Sequence, residues 1–322
     1  MMKVQTWVLG GLALVGFAVA PLLVSDYNLR ILVLALQTAI AAIGLTLAFG
    51  WTGLIQLGQA AFIGLGAYGS ALSAMRLGLD FWIAMPLGML LSGLVALLIA
   101  VPMLRLRGHY LALATVGFNV TLEIVIKNWQ DLTGGYDGIS SIPGISLFGH
   151  ELQTDTGYYY LSLAFLAVVV LFATLLRQSR FGRAMIAVHD DEIATATSSV
   201  PVVRTKVAAF VISGMLAGLS GALYAHYAHY IAPADFDMWR SITVLVMVIV
   251  GGQMSIVGAV FGAIVLSFAP EWLRFVGDAY LAVFGVAVLL VLIFLPHGIA
   301  GLLRRWTHRS DTQATKPEAR HV

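Results

Sequence analysis

An all-α fold that crosses a membrane many times is predicted by three observations. Apolar runs of about 20 residues, enough for a helix to span roughly 30 Å of hydrocarbon, recur along the whole chain. Of its 322 residues 60% are hydrophobic and 11% charged, with a mean hydropathy of +0.91, a balance foreign to ordinary soluble domains. The cations cluster in short stretches between the apolar runs, which is the pattern that orients a chain in a bilayer.

Spans are predicted near 7–24, 31–49, 53–75, 82–104, 109–127, 158–176, 207–230 and 280–296, about eight in all. A further apolar region, 242–268, is interrupted by Gly251-Gly252-Gln253-Met254-Ser255. It reads as a re-entrant segment dipping in from outside, or as a broken pair of helices. Ala18-Val19-Ala20 mimics a signal-peptidase site. The apolar run continues through Pro21-Leu22-Leu23-Val24, and a proline directly after the site hinders cutting, so the segment reads as a retained span. Residues 1–303 are therefore expected to form one transmembrane domain, with 304–322 a disordered cytoplasmic tail.

Charge sets the expected orientation. With the N-terminus in the cytoplasm, Lys3, Arg105, Arg107, Arg177, Arg180, Arg183, Arg204, Lys206 and the tail cations from Arg304 to Arg320 all lie inside. Asp26, Asp80, Asp131, Asp137, Glu151, Asp155, Asp235 and Asp237 then lie outside, and both termini are cytoplasmic. The formal net charge of only +2 gives no nucleic-acid footprint, and the absence of cysteine excludes disulfides, thiolate metal sites and cysteine nucleophiles.

The loop 177–206 is the most hydrophilic interior stretch. A simple turn needs only a few residues, so the surplus has a task. His189-Asp190-Asp191-Glu192 would put acids in the first turn of a short helix, where they complement its dipole. Pro201 disfavours helical geometry at Val200, so that helix should stop near Ser199. A short helix between two spans offers a docking surface for another protein; the simpler alternative is a solvated loop.

Gly53, Gly58, Gly64, Gly66 and Gly69 crowd into 53–72, and 251–267 has the same character, with Gly258 and Gly262 at GxxxG spacing. Small residues admit close helix contact or a helix break that lines a cavity. Two glycine-interrupted segments in corresponding positions suggest an internal pseudo-repeat with a pathway at its interface. Thr115, Asn119, Glu123 and Lys127 recur every fourth residue, forming a polar stripe on one helix face. Gly58, Gln59, Thr115, Asn119, Gly251 and Gly252 are the expected pathway residues, whereas Glu123 and Lys127 stand in the favourable order for a snorkelling ion pair.

Chemistry motifs are missing. The four lysines, at 3, 127, 206 and 316, follow Met, Ile, Thr and Thr, so no Gly-Lys-Ser/Thr phosphate loop exists and the chain is not expected to be an enzyme. His226 and His229, among Tyr224, Tyr227 and Tyr230, read as wet histidines in an aromatic interfacial belt rather than a metal site. A secondary transporter would share the glycine breaks, but Glu123 is the only acid well inside a span. An intramembrane enzyme would need convergent nucleophile and base residues, which are not found.

Four blocks carry a resemblance: GLIQLGQAAFIGLGAY (53–68), RGHYLALATVGF with NWQDLTGGYDGI (107–139), FGRAMIAVHDDEIATA (181–196) and GG-x-x-S-x-x-G (251–258). In this order they resemble LivM-type permeases, the inner-membrane subunits of branched-chain amino-acid ABC importers. The resemblance implies a bacterial cytoplasmic-membrane permease paired with a LivH-type subunit, two cytoplasmic ATPases that bind the ATP, and an external solute-binding protein. It assigns Gly182, Arg183, Ala184, Asp190, Asp191, Glu192 and Ala194 to an element that docks on an ATPase. Ser198-Ser199-Val200-Pro201 and Gln253-Met254 depart from the family pattern. Related permeases carry urea, short amides and other small acids, so an urea or short-amide permease is the alternative. No cofactor or metal is expected in the chain itself.

Overall fold

Helix α1 (Asp26–Leu45) is buried along most of its length, packed against the helices Val202–Ala228, Ile256–Trp272 and Asp155–Gln178. Val33, Leu36, Ile40 and Ile43 on it have no accessible surface; burial all round marks a central helix rather than a lipid-facing one. The computed structural model describes residues 20–21, 24–104, 106, 108–147, 150–273, 285, 286, 289 and 298. The expected span 280–296, almost all of 7–24, the cations Lys3, Arg105 and Arg107, and the tail 304–322 lie outside the described residues.

A π-helical turn, Thr46–Gly50, widens the end of α1. The Thr46 and Thr52 hydroxyls donate to carbonyls four residues back, at 2.9 and 2.6 Å, and keep the backbone satisfied there. Gly53, at φ +69°, turns the chain out of the helix, and residues 53–58 run without regular structure. Helix α2 (Gln59–Leu77) follows, then α3 (Phe81–Met103), α4 (His109–Asn128) and a single turn, α5 (Gln130–Thr133). The expected span 53–75 is thus a shorter helix entered through an irregular stretch.

Strand β1 (Ile139–Ser140) and the hairpin β2 (Ser146–Leu147) and β3 (His150–Glu151) lead to α6 (Asp155–Gln178). Two short helices, α7 (Arg180–Asp190) and α8 (Glu192–Thr197), precede α9 (Val202–Ala228). Strand β4 (Tyr230–Ile231) pairs antiparallel with β1, Ile139 facing Ile231. A 3-10 turn, Pro233–Phe236, then leads to α10 (Met238–Gly251) and α11 (Ile256–Trp272). The apolar region 242–268 is therefore a broken pair. Tyr27, at the start of α1, donates to Glu271 at 2.7 Å, so α11 ends where α1 begins.

Among the described residues five helices are long and apolar enough to cross a membrane: Asp26–Gly50, Phe81–Met103, His109–Asn128, Asp155–Gln178 and Val202–Ala228. The chain is thus an all-α polytopic membrane protein, with α2 and the α10–α11 pair as shorter glycine-bearing elements among the described residues. Small residues set the packing of α2, α3 and α9. A Cβ on Gly66 would stand 2.1 Å from the Gly218 carbonyl oxygen, and one on Gly221 would stand 1.8 Å from that of Ile63. No side chain fits at such separations, and backbones approach this closely only through glycine. Ser92 seals the junction, its hydroxyl reaching the Phe62 oxygen at 3.0 Å and the Gly214 oxygen at 2.7 Å.

Candidate functional site

A polar node is built where α2 begins. Gly58 is the N-cap of α2, and a Cβ there would stand 2.8 Å from the Thr115 carbonyl oxygen on α4. The neighbouring Leu57 amide donates to the Thr115 hydroxyl at 2.9 Å. Gln59 donates to the Ala41 carbonyl oxygen on α1 at 3.0 Å, and its own side-chain oxygen accepts from Gln56 at 3.1 Å and Ser213 at 3.4 Å. Ser241 on α10 accepts from the Ala60 amide at 2.8 Å and donates to Asn119 at 3.3 Å; Asn119 in turn donates to the Phe236 oxygen at 3.4 Å.

Helix starts leave amides unpaired, and burying one without a partner costs about 1–3 kcal/mol. Thr115 and Ser241 take two of the amides left by the break, which is why polar residues at these positions are needed in so apolar a setting. Gln59, Asn119 and Ser241 are fully enclosed. The structure thus brings Gly58, Gln59, Thr115 and Asn119 together; the helical spacing on α4 predicts only that Thr115 and Asn119 share a face. Gln56, Ser213 and Ser241 belong to the same node; sequence reading missed them, although Gln56 stands only three residues before Gln59, because no spacing within one segment ties Ser213 or Ser241 to Gln59 or Asn119.

Gly251 and Gly252 lie elsewhere. A Cβ on Gly251 would stand 2.0 Å from the Gly258 oxygen, and one on Gly262 would stand 2.0 Å from that of Met247, so α10 and α11 touch backbone to backbone. Gly252 has φ +112° and turns the chain between them. The two glycine breaks nevertheless meet. Trp51, just before the first, donates from Nε1 to the Met254 oxygen in the second at 3.4 Å, and a Cβ on Gly50 would stand 1.7 Å from the Gln253 oxygen.

The hydrophilic loop forms two helices rather than the one expected, so Asp190 ends α7 instead of opening a helix. Ser179 caps α7 and Asp191 caps α8, its carboxylate accepting from the Ile193 and Ala194 amides at 2.8 and 2.9 Å. Gly182 is buried because a Cβ there would stand 2.1 Å from the Leu176 oxygen, letting α7 fold tightly back on α6. Arg183 donates to the Gln178 carbonyl oxygen at 2.7 Å; Ala184 lies half-buried beside it. Glu192 pairs with Lys206 at 2.6 Å. Thr195 donates to the Ala187 oxygen at 2.7 Å and locks α8 onto α7. The charges of Asp191 and Glu192 are thus engaged within the chain, while Asp190 and Ala194 are exposed beside Ile193, an apolar residue 80% exposed that sequence reading passed over.

Behind α7 and α8 lies a cavity of about 680 Å³, lined among others by Thr52, Gly53, Leu54, Val188, His189 and Val207. His189 is the contact with the first break: its Nδ1 is 3.3 Å from where a Cβ of Gly53 would stand. Arg177 lies over the Trp51 ring at 5.9 Å. The helical pair is therefore seated on the corner from which both breaks depart.

At the opposite end the polar stripe closes with Lys127 and Glu123 at 2.5 Å, the ion pair their order predicts. His226 corrects the reading of wet histidines. It is fully buried, with Nε2 2.8 Å from the Ser70 hydroxyl and Nδ1 2.7 Å from the Pro143 oxygen, so both ring nitrogens are engaged.

Glycine-broken helices around a buried polar node, with a helical pair seated on the breaks, define a polytopic membrane protein of the transport class. The family model described as "Branched-chain amino acid transport system / permease component" matches residues 27–295. The chain belongs to that permease family. It is 33% identical to the high-affinity branched-chain amino acid transport system permease protein LivM of Salmonella typhimurium, over 96% of this chain and 78% of the relative. It is 34% identical to LivM of Escherichia coli K12, over 91% and 74%. The permease protein LivH of Salmonella typhimurium is 25% identical over 82% of this chain and 91% of its own length. No solved structure matches.

Proposed function

We propose that this chain is one of two related permease subunits of an ABC importer in a bacterial inner membrane, carrying branched-chain or related amino acids. Its relatives include both LivM and LivH proteins, which supports pairing with a LivH-like subunit. Two cytoplasmic ATPases and an external solute-binding protein complete the assembly. The observation that carries the reading is the seating of α7 on the Gly53 corner through His189, beside Arg177 at the end of α6, which lies over Trp51. A partner that pushes on this helical pair pushes on the origin of both glycine breaks.

In this reading the α7–α8 end faces the cytoplasm, because Arg177, Arg180, Arg183, Arg204 and Lys206 gather there. Both termini share that side and 128–157 faces outside. Gly58, Gln59, Thr115 and Asn119 guard the route; Gly251 and Gly252 allow the second break to follow the first, as two halves of a pseudo-repeat would. Coexpression with the partner ATPases, LivH-like subunit and binding protein, followed by leucine uptake into ATP-loaded proteoliposomes, tests the proposal. ATP-dependent uptake that requires this chain is expected; uptake without it, or failure to copurify with any ATPase, would refute it.

A further inference from the structure

We infer that Arg240 receives the carboxylate of the transported solute within the permease, an assignment that rests on the importer reading above. The Arg30–Asp155 pair, 2.9 Å apart and exposed, marks the end of the bundle opposite α7 and α8. Thr38 lies about two turns further along α1, roughly 12 Å deeper. Arg240, in the first turn of α10, reaches that depth: its Nη2 is 3.4 Å from the Thr38 hydroxyl. The Pro233–Phe236 turn has brought the chain inward, since Phe236 packs against Gly64 and accepts from Asn119 of the polar node.

A cation held among helices is costly unless an anion meets it. Arg30, Lys127 and Lys206 are each paired with an acid. Arg240 is the cation in the interior of the bundle, among the described residues, that has no acid within ion-pair distance. Its backbone amide is taken by Asp237 at 2.9 Å, but among the described residues the one hydrogen bond of its guanidinium is the long contact to Thr38. Its Nε is enclosed and has no partner among the described residues. A guanidinium offers five donors in a planar fork that matches a carboxylate, so most of its capacity is unspent.

The surroundings suit an apolar amino acid. The guanidinium carbon lies 5.7 Å over the Tyr224 ring, which meets Phe236 at 6.1 Å; Phe236 meets Tyr68 at 5.9 Å. Tyr68 is 4% exposed and its hydroxyl has no partner among the described residues. The cation thus stands beside an aromatic wall that ends in an unspent hydroxyl. A carboxylate on Arg240 would place the solute's apolar side chain against these rings and next to the Asn119–Ser241 bond that ties α4 to α10.

The test uses the complete transporter in proteoliposomes at saturating binding protein and leucine. Arg240→Gln is expected to lower leucine uptake at least tenfold while complex yield and basal ATP hydrolysis stay near wild type; Arg240→Lys should retain part of the uptake. Since the chain has no cysteine, Arg240→Cys combined with cysteine-free partners allows charge to be restored chemically. Uptake should return with a cationic aminoethyl thiosulfonate and not with the neutral methyl reagent. Wild-type uptake in Arg240→Gln, or rescue by both reagents or by neither, would overturn the assignment. Failure of the wild-type complex to move leucine would instead overturn the importer reading.

Discussion

Trp51 and Met254 join the two glycine breaks: the indole Nε1 donates to the Met254 carbonyl oxygen at 3.4 Å across 203 positions of sequence. Arg177 covers the same indole, and His189 abuts Gly53 two residues on. One corner of the chain therefore touches the α7–α8 pair, the irregular stretch before α2 and the turn between α10 and α11. A displacement of α7 is felt at both breaks without passing through the long helices.

Gly53→Ala tests that corner. At φ +69° an L side chain is strained, by about 1–2 kcal/mol, and its Cβ would stand 3.3 Å from His189 Nδ1. Uptake should fall several-fold while ATP hydrolysis by the assembled complex persists. Tight coupling, with both rates reduced equally, would show that the corner does not relay motion.

Glycines in the bundle should not be equivalent. Gly66→Leu would drive a side chain into the Gly218 backbone, so overpacking of about 3 kcal/mol or more is expected, with loss of the folded subunit. Gly117→Leu meets nothing within 4 Å on its exposed face and should leave thermal stability in detergent near wild type. Melting curves of the two variants distinguish these outcomes.

For the docking face, Ile193→Asp alters an exposed apolar side chain and leaves the Asp191 cap and the Glu192–Lys206 pair in place. It should reduce copurification of the ATPases at least tenfold without loss of the subunit. Glu192→Ala is the contrasting control: an ion pair this exposed is worth under about 1 kcal/mol, so its effect should be mild. Equal ATPase yield in Ile193→Asp and wild type would point away from α8 as the contact.

Within the polar node, Gly58→Leu should abolish uptake, because even a Cβ meets the Thr115 oxygen at 2.8 Å and the irregular stretch would be forced from α4. Asn119→Leu leaves Ser241 without its acceptor and the Phe236 oxygen without its donor, a loss of about 1–3 kcal/mol. Its melting temperature should drop even where uptake persists.

Orientation is tested by Ser198→Cys, a single exposed thiol on a chain that has none. An impermeant maleimide added outside intact cells should leave it unlabelled until the membrane is opened. Labelling from outside would reverse the topology.

Much of this was legible from local order. Long apolar runs foretell α1, α3, α4, α6 and α9 because the cost of bare backbone in hydrocarbon leaves a helix as the only economical form. Four-residue spacing foretells that Thr115 and Asn119 share a face and that Glu123 meets Lys127. The glycine clusters foretell breaks, and Pro201 the end of the helix before it. The divided α7–α8 pair was less visible, because Asp191 acts as a cap only once the chain turns there.

The amino-acid sequence by itself determined the class, the main helices, the places where they break and the family, since each depends on composition or on spacing within one segment. Tertiary structure alone decided which breaks meet, what each polar side chain answers to, and which charges remain free. Ser241 faces Asn119, His226 is sealed against Ser70, and Glu192 is paired with Lys206, whereas Arg240 meets no acid within ion-pair distance among the described residues. These are contacts between segments far apart in sequence. Hydropathy and period describe a helix from within and carry no term for its neighbour, so pairing across helices emerges only when close packing brings them together.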